Sequence, residues 1–149
     1  MPYEYRMKHR VEFVDTDMAG IVHFANFFRF MEATEHSFLN EIGLSVYRQD
    51  GDRIISCPRV SATCDYKSPL RFGDEFEVHL LVREKRTRSL TYDFVFRKLD
   101  SDSTIARGSI SIVFVSIDER GSMKAIPIPE SVERLIEAAP SDLLRNSPE

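Results

Sequence analysis

The hydrophobic period changes twice along this chain, and those changes limit the folds open to it. Residues 5–14 alternate, placing Tyr5, Met7, His9, Val11 and Phe13 on one face, which is a strand pattern. The run DTDMAG then breaks the alternation with turn formers. From about residue 24 the apolar step lengthens to three and four. Phe27, Met31, Thr34/Glu35, Phe38 and Ile42 recur at that spacing, with Phe28 and Leu39 widening the stripe. This predicts an amphipathic helix of about 17–19 residues, long against a mean of about 11–12. Asn26 or a residue just before it is expected to cap the helix start. Gly43 is expected to end it as a left-handed residue.

After a looped stretch (LSVYRQDGD) the alternation returns. Residues 53–66 are rich in strand formers but contain Pro58, which suggests an edge position or a bulge. Residues 75–85 place Phe76, Val78, Leu80 and Val82 together, and residues 89–99 do the same for Leu90, Tyr92, Phe94 and Phe96. Residues 104–117 align Ala106, Gly108, Ile110, Ile112 and Phe114. KRTR and LDSDS read as hairpin turns, and DERGS closes the strand series. PESVERLIEAA reads as a short helix with Pro129 near its start, and PSDLLRNSPE as a frayed tail. The order is one strand, one long helix, then four strands in antiparallel succession. That predicts an α+β fold: a long central helix wrapped by a five-stranded antiparallel sheet. With 149 residues and no repeat or long linker, a single domain is expected over 1–149, its core at about 5–138. Such a sheet has long edges that invite a second copy, so at least a dimer is expected.

Charge narrows the function classes. Lys and Arg number 20 against 24 for Asp and Glu, a net charge of −4, which argues against a broad nucleic-acid surface. No apolar run approaches the ~18 residues of a membrane span. The N-terminus MPYEYRMKHR has no apolar signal core, so a cytoplasmic protein is expected. Cys57 and Cys64 are the two cysteines, too few for a metal cage, and are expected to be reduced, mostly buried thiols.

Polar groups concentrate between the first strand and the helix, in VEFVDTDMAGIVHFANFFRFME. Asp15 and Asp17 flank Thr16, Gly20 lets the backbone approach a ligand, and His23 follows. Free N–H groups at a helix start can hold a developing negative charge. A carboxylate beside such an element suits acyl transfer or hydrolysis.

This segment resembles the acyl-CoA thioesterases of the 4-hydroxybenzoyl-CoA thioesterase type, which carry the hotdog fold. The shared pattern is D-x-D-x-x-G-x-V-x-x-x-N followed by an aromatic-rich helix, met here by Asp15, Asp17, Gly20, Ile21, Val22, Asn26, Phe27 and Phe30. Downstream, Pro58, Cys64, Tyr66, Pro69, Gly73, Asp74, Gly108 and the segment IPIP agree with the same family, so the resemblance spans residues 8 to about 136. It implies that Asp17 is the nucleophile or general base. It implies that the Phe24 backbone N–H holds the thioester carbonyl, with His23 beside it. Gly20, Val22 and Asn26 fall on the substrate side. The acyl group is expected to enter a pocket at a subunit interface of a homodimer or a homotetramer (a dimer of dimers). The phosphates of coenzyme A are expected to meet a basic hairpin, here Lys85, Arg86 and Arg88. Neither metal nor redox cofactor is implied, because coenzyme A is part of the substrate.

Each residue also has a plainer reading. Asp15 is expected to shape the loop. His23, at a helix N-terminus, is expected to be neutral and able to orient a water or the thioester. His36 is expected on a surface or interface, His9 and His79 to be structural or exposed. Asn26 serves as cap or pocket hydrogen bonder. Phe24, Phe27, Phe28 and Phe30 are expected mainly in the core. Glu32 and Glu35 read as a solvated face from which one can face a partner's pocket. The basic hairpin reads as a solvated turn or a phosphate site. Rival functions are hydrolysis of acyl groups carried by acyl carrier protein, hydration of enoyl-CoA using His23, and binding of acyl-CoA without turnover.

Overall fold

A computed structural model describes residues 2–45 and 48–145. In chain order the elements are β1 (Glu4–Arg10), a 3-10 turn (Phe13–Asp15), α1 (Asn26–Glu41), β2 (Arg48–Asp50), β3 (Arg53–Ser56), β4 (Arg59–Tyr66), β5 (Glu75–Lys85), β6 (Ser89–Lys98), β7 (Thr104–Val113), β8 (Val115–Ile117), β9 (Met123–Ala125), α2 (Glu130–Glu133) and α3 (Ser141–Arg145). The main sheet is five-stranded and antiparallel in the order β1-β5-β6-β7-β4. One face carries α1. This is the hotdog fold.

The inward residues of the sheet are those that alternation assigns. Phe76, Val78, Leu80, Val82, Tyr92, Phe94 and Phe96 are all 0% exposed. The helix answers with Phe27, Phe30, Met31, Thr34, Glu35 and Phe38. Gly108 on β7 sets how closely the two layers meet: a Cβ there would lie 2.1 Å from Met31 Cε. A side chain there would force the end of Met31 to shift, so the constraint on this position is one of space rather than of backbone angle. The helix ends as expected. Gly43 has φ +83°, its N–H donates to the Asn40 carbonyl, and the Leu44 N–H reaches the Leu39 carbonyl. These are the paired bonds of a Schellman stop.

Several boundaries differ from the sequence expectation, each for a physical reason. β1 stops at Arg10 because the Glu12 N–H donates to Asp15 Oδ2 (2.8 Å), closing a 3-10 turn that throws Phe13 outward. The helix starts at Asn26, with Ala25 at the cap and no side-chain cap bond, and runs 16 residues. Residues 53–66 form two strands, broken at Pro58, and residues 104–117 break at Phe114. Both breaks lie side by side, where the Val113 N–H meets the Pro58 carbonyl. Beyond them β3 and β8 leave the main sheet and build a second one, β2-β3-β8-β9. β4 does sit at an edge with a register shift between Arg59 and Ser61, as Pro58 suggested. It pairs with β7, however, so the strands after the helix do not run in simple succession. The expected C-terminal helix is one short turn, α2, followed by a segment whose Ile136 is fully buried, while the expected frayed tail contains α3.

β4 has a free edge on the side away from β7, and its residues are exposed apart from half-buried Cys64. Along this eight-residue strand the N–H and C=O groups turned away from β7, those of about every second residue, are a template for another strand.

Candidate active site

The segment between β1 and α1 is a small folded loop. Thr16 and Val22 form an isolated antiparallel bridge, and the Asp17 N–H donates to the Ile21 carbonyl (3.1 Å). Between them the chain turns tightly: the Gly20 N–H reaches the Asp17 carbonyl and Gly20 has φ +78°, a region closed to most side chains. The Asp17 side chain is exposed. Its Oδ1 accepts from the Ala19 N–H (2.9 Å), which fixes the rotamer and leaves Oδ2 without a protein partner among the described residues.

Asp15, two residues earlier, has the opposite environment. It is buried, its Oδ2 takes the Glu12 N–H, and its Oδ1 pairs with the Arg29 guanidinium. Its carbonyl accepts from the His23 N–H (2.9 Å) and from Asn26 Nδ2 (2.8 Å). Asp15 therefore ties the loop to the first turn of α1, the shaping role expected for it. Asn26 does not cap the helix: it is the first helical residue, and its amide is spent on this tie.

Tracing the backbone amides from Val22 into the first turn of α1 isolates one. Val22 donates to Leu70, His23 to Asp15, Asn26 to His23, Phe27 to Phe24 and Phe28 to Ala25. The Ala25 N–H donates to His23 Nδ1 (3.2 Å). Only the Phe24 N–H in this run has no acceptor among the described residues. It stands at the positive end of α1. The bond to Nδ1 also fixes the imidazole, because an accepting Nδ1 carries no proton. An imidazole accepting there carries its N–H at Nε2.

Asp17 and Phe24 border an open cleft of about 490 Å³ that Ile21, Val22, Phe27, Tyr66 and residues 67–70 also line, while His23, Gly20 and Asn26 are not among its lining residues. The Tyr66 hydroxyl donates to the Phe24 carbonyl (2.8 Å) and so holds the peptide next to the free N–H. Phe24 is exposed, while Phe27 and Phe30 are core residues and Phe28 is half-buried. Tyr66, Lys67 and Ser68 are cleft residues that the sequence did not single out as such. Tyr66 carried a signal as an aromatic at the end of an edge strand, whereas Lys67 and Ser68 had none.

The basic hairpin does not join this cleft within one chain. It closes β5 and β6 at the sheet end opposite the Asp17 loop, roughly 30 Å along the strands. Lys85 is committed elsewhere: its Nζ donates to the carbonyls of Glu133 and Ile136 and pairs with Glu133 Oε1 (2.9 Å). That is a structural use of the Lys85 ammonium within one chain. Arg86 is exposed and reaches Glu84, and Arg88 is exposed. The Glu32–Glu35 pair also departs from a solvated face. Glu35 is buried and takes two bonds from Arg59, at 2.8 and 2.6 Å. His9 is structural: Nε2–H donates to Thr34 Oγ1, whose own proton goes to the Phe30 carbonyl, and the ring stacks on Phe76. Burial pushes both half-buried thiols, Cys57 and Cys64, up to about 11, so they are neutral near pH 7. No cluster of metal-ligating side chains occurs among the described residues, and no helix there is long and apolar enough to cross a membrane.

A hotdog domain with an accessible carboxylate and an unpaired helix-start N–H on residues of one cleft has the parts of a thioester hydrolase. The chain belongs to the thioesterase-like superfamily, whose family model matches residues 11–136. A protein of Aquifex aeolicus (strain VF5) that carries an esterase name is 34% identical over 127 residues, 85% of this chain and 93% of that one. The 1,4-dihydroxy-2-naphthoyl-CoA hydrolase of Synechocystis is 25% identical over 126 residues, covering 85% and 89%. A solved gentisyl-coenzyme A thioesterase is 31% identical with a TM-score of 0.75, covering 89% of this chain and 100% of that one.

Proposed function

We propose that this chain is an acyl-CoA thioesterase, releasing a free acid and coenzyme A, with Asp17 as its catalytic carboxylate and the Phe24 N–H as its oxyanion donor. The observation that carries the reading is that one cleft is lined both by Asp17, with its unpartnered oxygen, and by Phe24, whose amide is unspent at the helix start. A thioester carbonyl set on the Phe24 N–H is polarised by that donor and by the helix dipole, which stabilise the charge that develops on its oxygen. Asp17 then acts in one of two ways. As nucleophile it forms a mixed anhydride with expulsion of the thiolate, and water opens the anhydride. As general base it takes a proton from water that attacks the carbonyl directly. Coenzyme A is a good leaving group as thiolate, so no strong acid is required, and His23 Nε2–H serves to orient the water or the thioester. Neither route calls for a metal or redox cofactor.

The working unit in this reading is a homodimer joined along the free β4 edges, or a pair of such dimers. The sheet end that carries the basic hairpin of one copy then comes beside the Asp17 cleft of the other, so Arg86 and Arg88 can meet the coenzyme A phosphates across the interface. Gly20 and Val22 keep the backbone close to the substrate, and Asn26 acts through the loop it ties. The test is thiol release from a panel of acyl-CoAs by the wild type and by Asp17→Asn. Loss of about 10³-fold or more in kcat, with an unchanged unfolding transition, is expected. Equal rates would remove Asp17 from the mechanism. Competition between acyl-CoA and acyl carrier protein thioesters identifies the carrier, and tight binding without turnover would mark a binding protein instead.

A further inference from the structure

An N–H serves as an oxyanion donor only when its direction is fixed in advance, because a donor that must first reorient gives back what it stabilises. Two peptide units meet at the Phe24 Cα. The first joins His23 to Phe24 and carries the free N–H. Its carbonyl, that of His23, accepts from the Asn26 N–H (2.9 Å). A carbonyl engaged in this way polarises the amide at the other end of its peptide and strengthens it as a donor. The second unit joins Phe24 to Ala25 and is gripped at both ends. Its carbonyl takes the Tyr66 hydroxyl at 2.8 Å, together with a longer bond from the Phe27 N–H at 3.4 Å. Its N–H donates to His23 Nδ1 (3.2 Å). Of the polar groups on these two peptides, only the Phe24 N–H lacks a partner among the described residues.

Both jaws of this grip are themselves held. Tyr66 is the last residue of β4, in register with Ala106 on β7, and its ring stands edge-on to the core residue Phe27, with centroids 5.0 Å apart. Just beyond it the Lys67 and Ser68 N–H groups both reach the Ile105 carbonyl, at 2.8 and 3.0 Å. The hydroxyl therefore carries the position of the main sheet to a loop 42 residues earlier in the chain. His23 closes the other side through a side-chain bond to the amide two residues on, the pattern that Asn and Asp make in tight turns. Its own N–H is tied to the Asp15 carbonyl, and its ring lies against that of Phe24, with centroids 4.6 Å apart. The contacts of His23 are thus with the loop and the helix start, and it does not line the cleft.

We infer that Tyr66 and the Nδ1 side of His23 are positioning residues for the oxyanion donor: together they clamp the Phe24–Ala25 peptide and so fix the direction of the Phe24 N–H. The inference rests on the thioesterase reading and deepens it, by naming the side chains that hold the donor in place. A clamp of this kind matters most when charge grows on the thioester oxygen, so its loss appears in kcat and hardly in KM. A Tyr66 that were only a wall of the cleft would do the opposite, raising KM when altered. The clamp also gives the two nitrogens of His23 separate duties, Nδ1 toward the backbone and Nε2–H toward the water or the thioester.

The experiment has two arms. In the first, thiol release from hexanoyl-CoA and benzoyl-CoA is measured for the wild type, Tyr66→Phe, His23→Asn and His23→Ala. Tyr66→Phe keeps the ring against Phe27 and deletes only the hydroxyl. It is expected to lower kcat by roughly tenfold with KM little changed, less than the loss of about 10²-fold or more that follows removal of an oxyanion donor itself. His23→Asn keeps an acceptor for the Ala25 N–H and loses Nε2–H, whereas His23→Ala loses both, so the Asn variant is expected to turn over several-fold faster than the Ala variant. The second arm is NMR of the unliganded proteins, which reads the clamp without turnover. The Phe24 carbonyl carbon is expected to shift toward a free carbonyl in Tyr66→Phe. The Ala25 amide proton is expected to shift toward a free amide in His23→Ala and to stay bonded in His23→Asn. Unmoved resonances would overturn the clamp itself. An active wild type with kcat unchanged in Tyr66→Phe, a rise in KM alone, or a His23→Asn as slow as His23→Ala would overturn its part in positioning. A wild type that hydrolyses neither thioester, with the resonances shifting as expected, would instead remove the thioesterase reading on which that part rests.

Discussion

The two ends of the central helix are built on opposite terms. At its N-terminal end a loop holds Asp17 in the open, one of its carboxylate oxygens and the Phe24 amide are left unspent, and the hollow is a wide cleft. At its C-terminal end a buried carboxylate, Glu35, is fully engaged by Arg59, the helix is stopped by a complete Schellman pair, and the hollow is walled by core residues. One end keeps reactive groups available and the other spends nearly all of its polar groups on structure. The difference teaches that carboxylates on one helix and its leading loop are sorted by solvent and partners rather than by sequence type. Asp15, Asp17 and Glu35 are chemically alike, and only Asp17 is left accessible.

If that contrast holds, Asp17→Asn moves activity by about 10³-fold and stability hardly at all, whereas Arg59→Met does the reverse. Removing Arg59 strands the Glu35 charge in a buried site, a loss expected to be about 3 kcal/mol in urea unfolding. Arg59→Met with Glu35→Leu is expected to regain most of it, since a buried pair replaced by apolar groups costs little. A single variant as stable as wild type would show that the C-terminal end is not held by this pair.

The N-terminal end is tested more gently by Asn26→Ala. It removes the Asn26 amide from the Asp15 carbonyl while leaving Arg29 and the Glu12 N–H on the carboxylate. About 1 kcal/mol of stability is expected to go. Loosening the loop that carries Asp17 is expected to lower kcat several-fold at constant KM. Lost stability with unchanged kcat would mean that the tie supports the fold and not the site.

The sequence made some of this architecture legible and hid the rest. Alternation identified the inward faces of β5, β6 and β7 because their apolar inward residues recur at a period of two, even though outward residues such as Leu81, Val95 and Ile105 are buried as well. Gly43 and Pro58 were readable because each acts through its own backbone. The breaks at Pro58 and Phe114 into a second sheet were not, since continuous strand-forming sequence does not announce where a ribbon bends. Nor was the pairing of β4 with β7, a choice made by long-range packing. In the candidate site, Asp17, Gly20 and the helix start lie within a dozen residues and share a motif. The cavity behind the Glu35–Arg59 pair draws on the helix, on both sheets and on α2, so no local spacing could reveal it. Glu35 was misread for the same reason: its partner Arg59 lies 24 residues away.

The smallest expected effect is a pH response. His9 lies under the N-terminal half of α1, and burial pushes it below the ordinary histidine value of 6.5, with Arg29 adding in the same direction and Asp15 opposing. His79, on the outer face of β5, is lowered chiefly by burial. Its bond to Glu4 opposes the shift, as does the Glu4 charge, while Arg6 and Arg97 add to it. A lowered folded value means that, below pH 6.5, the unfolded chain binds protons which the native one resists. Stability is then lost as pH falls from about 6.5 through the folded values, and above 6.5 these groups contribute no slope. Urea midpoints measured at pH 7.5 and 5.5 are expected to drop for the wild type. His9→Gln, which retains a donor for Thr34, is expected to lessen the drop, and His9→Gln with His79→Gln to lessen it further. An equal drop in all three proteins would place the acid sensitivity in the carboxylates, and so in the ion pairs that brace both ends of the helix.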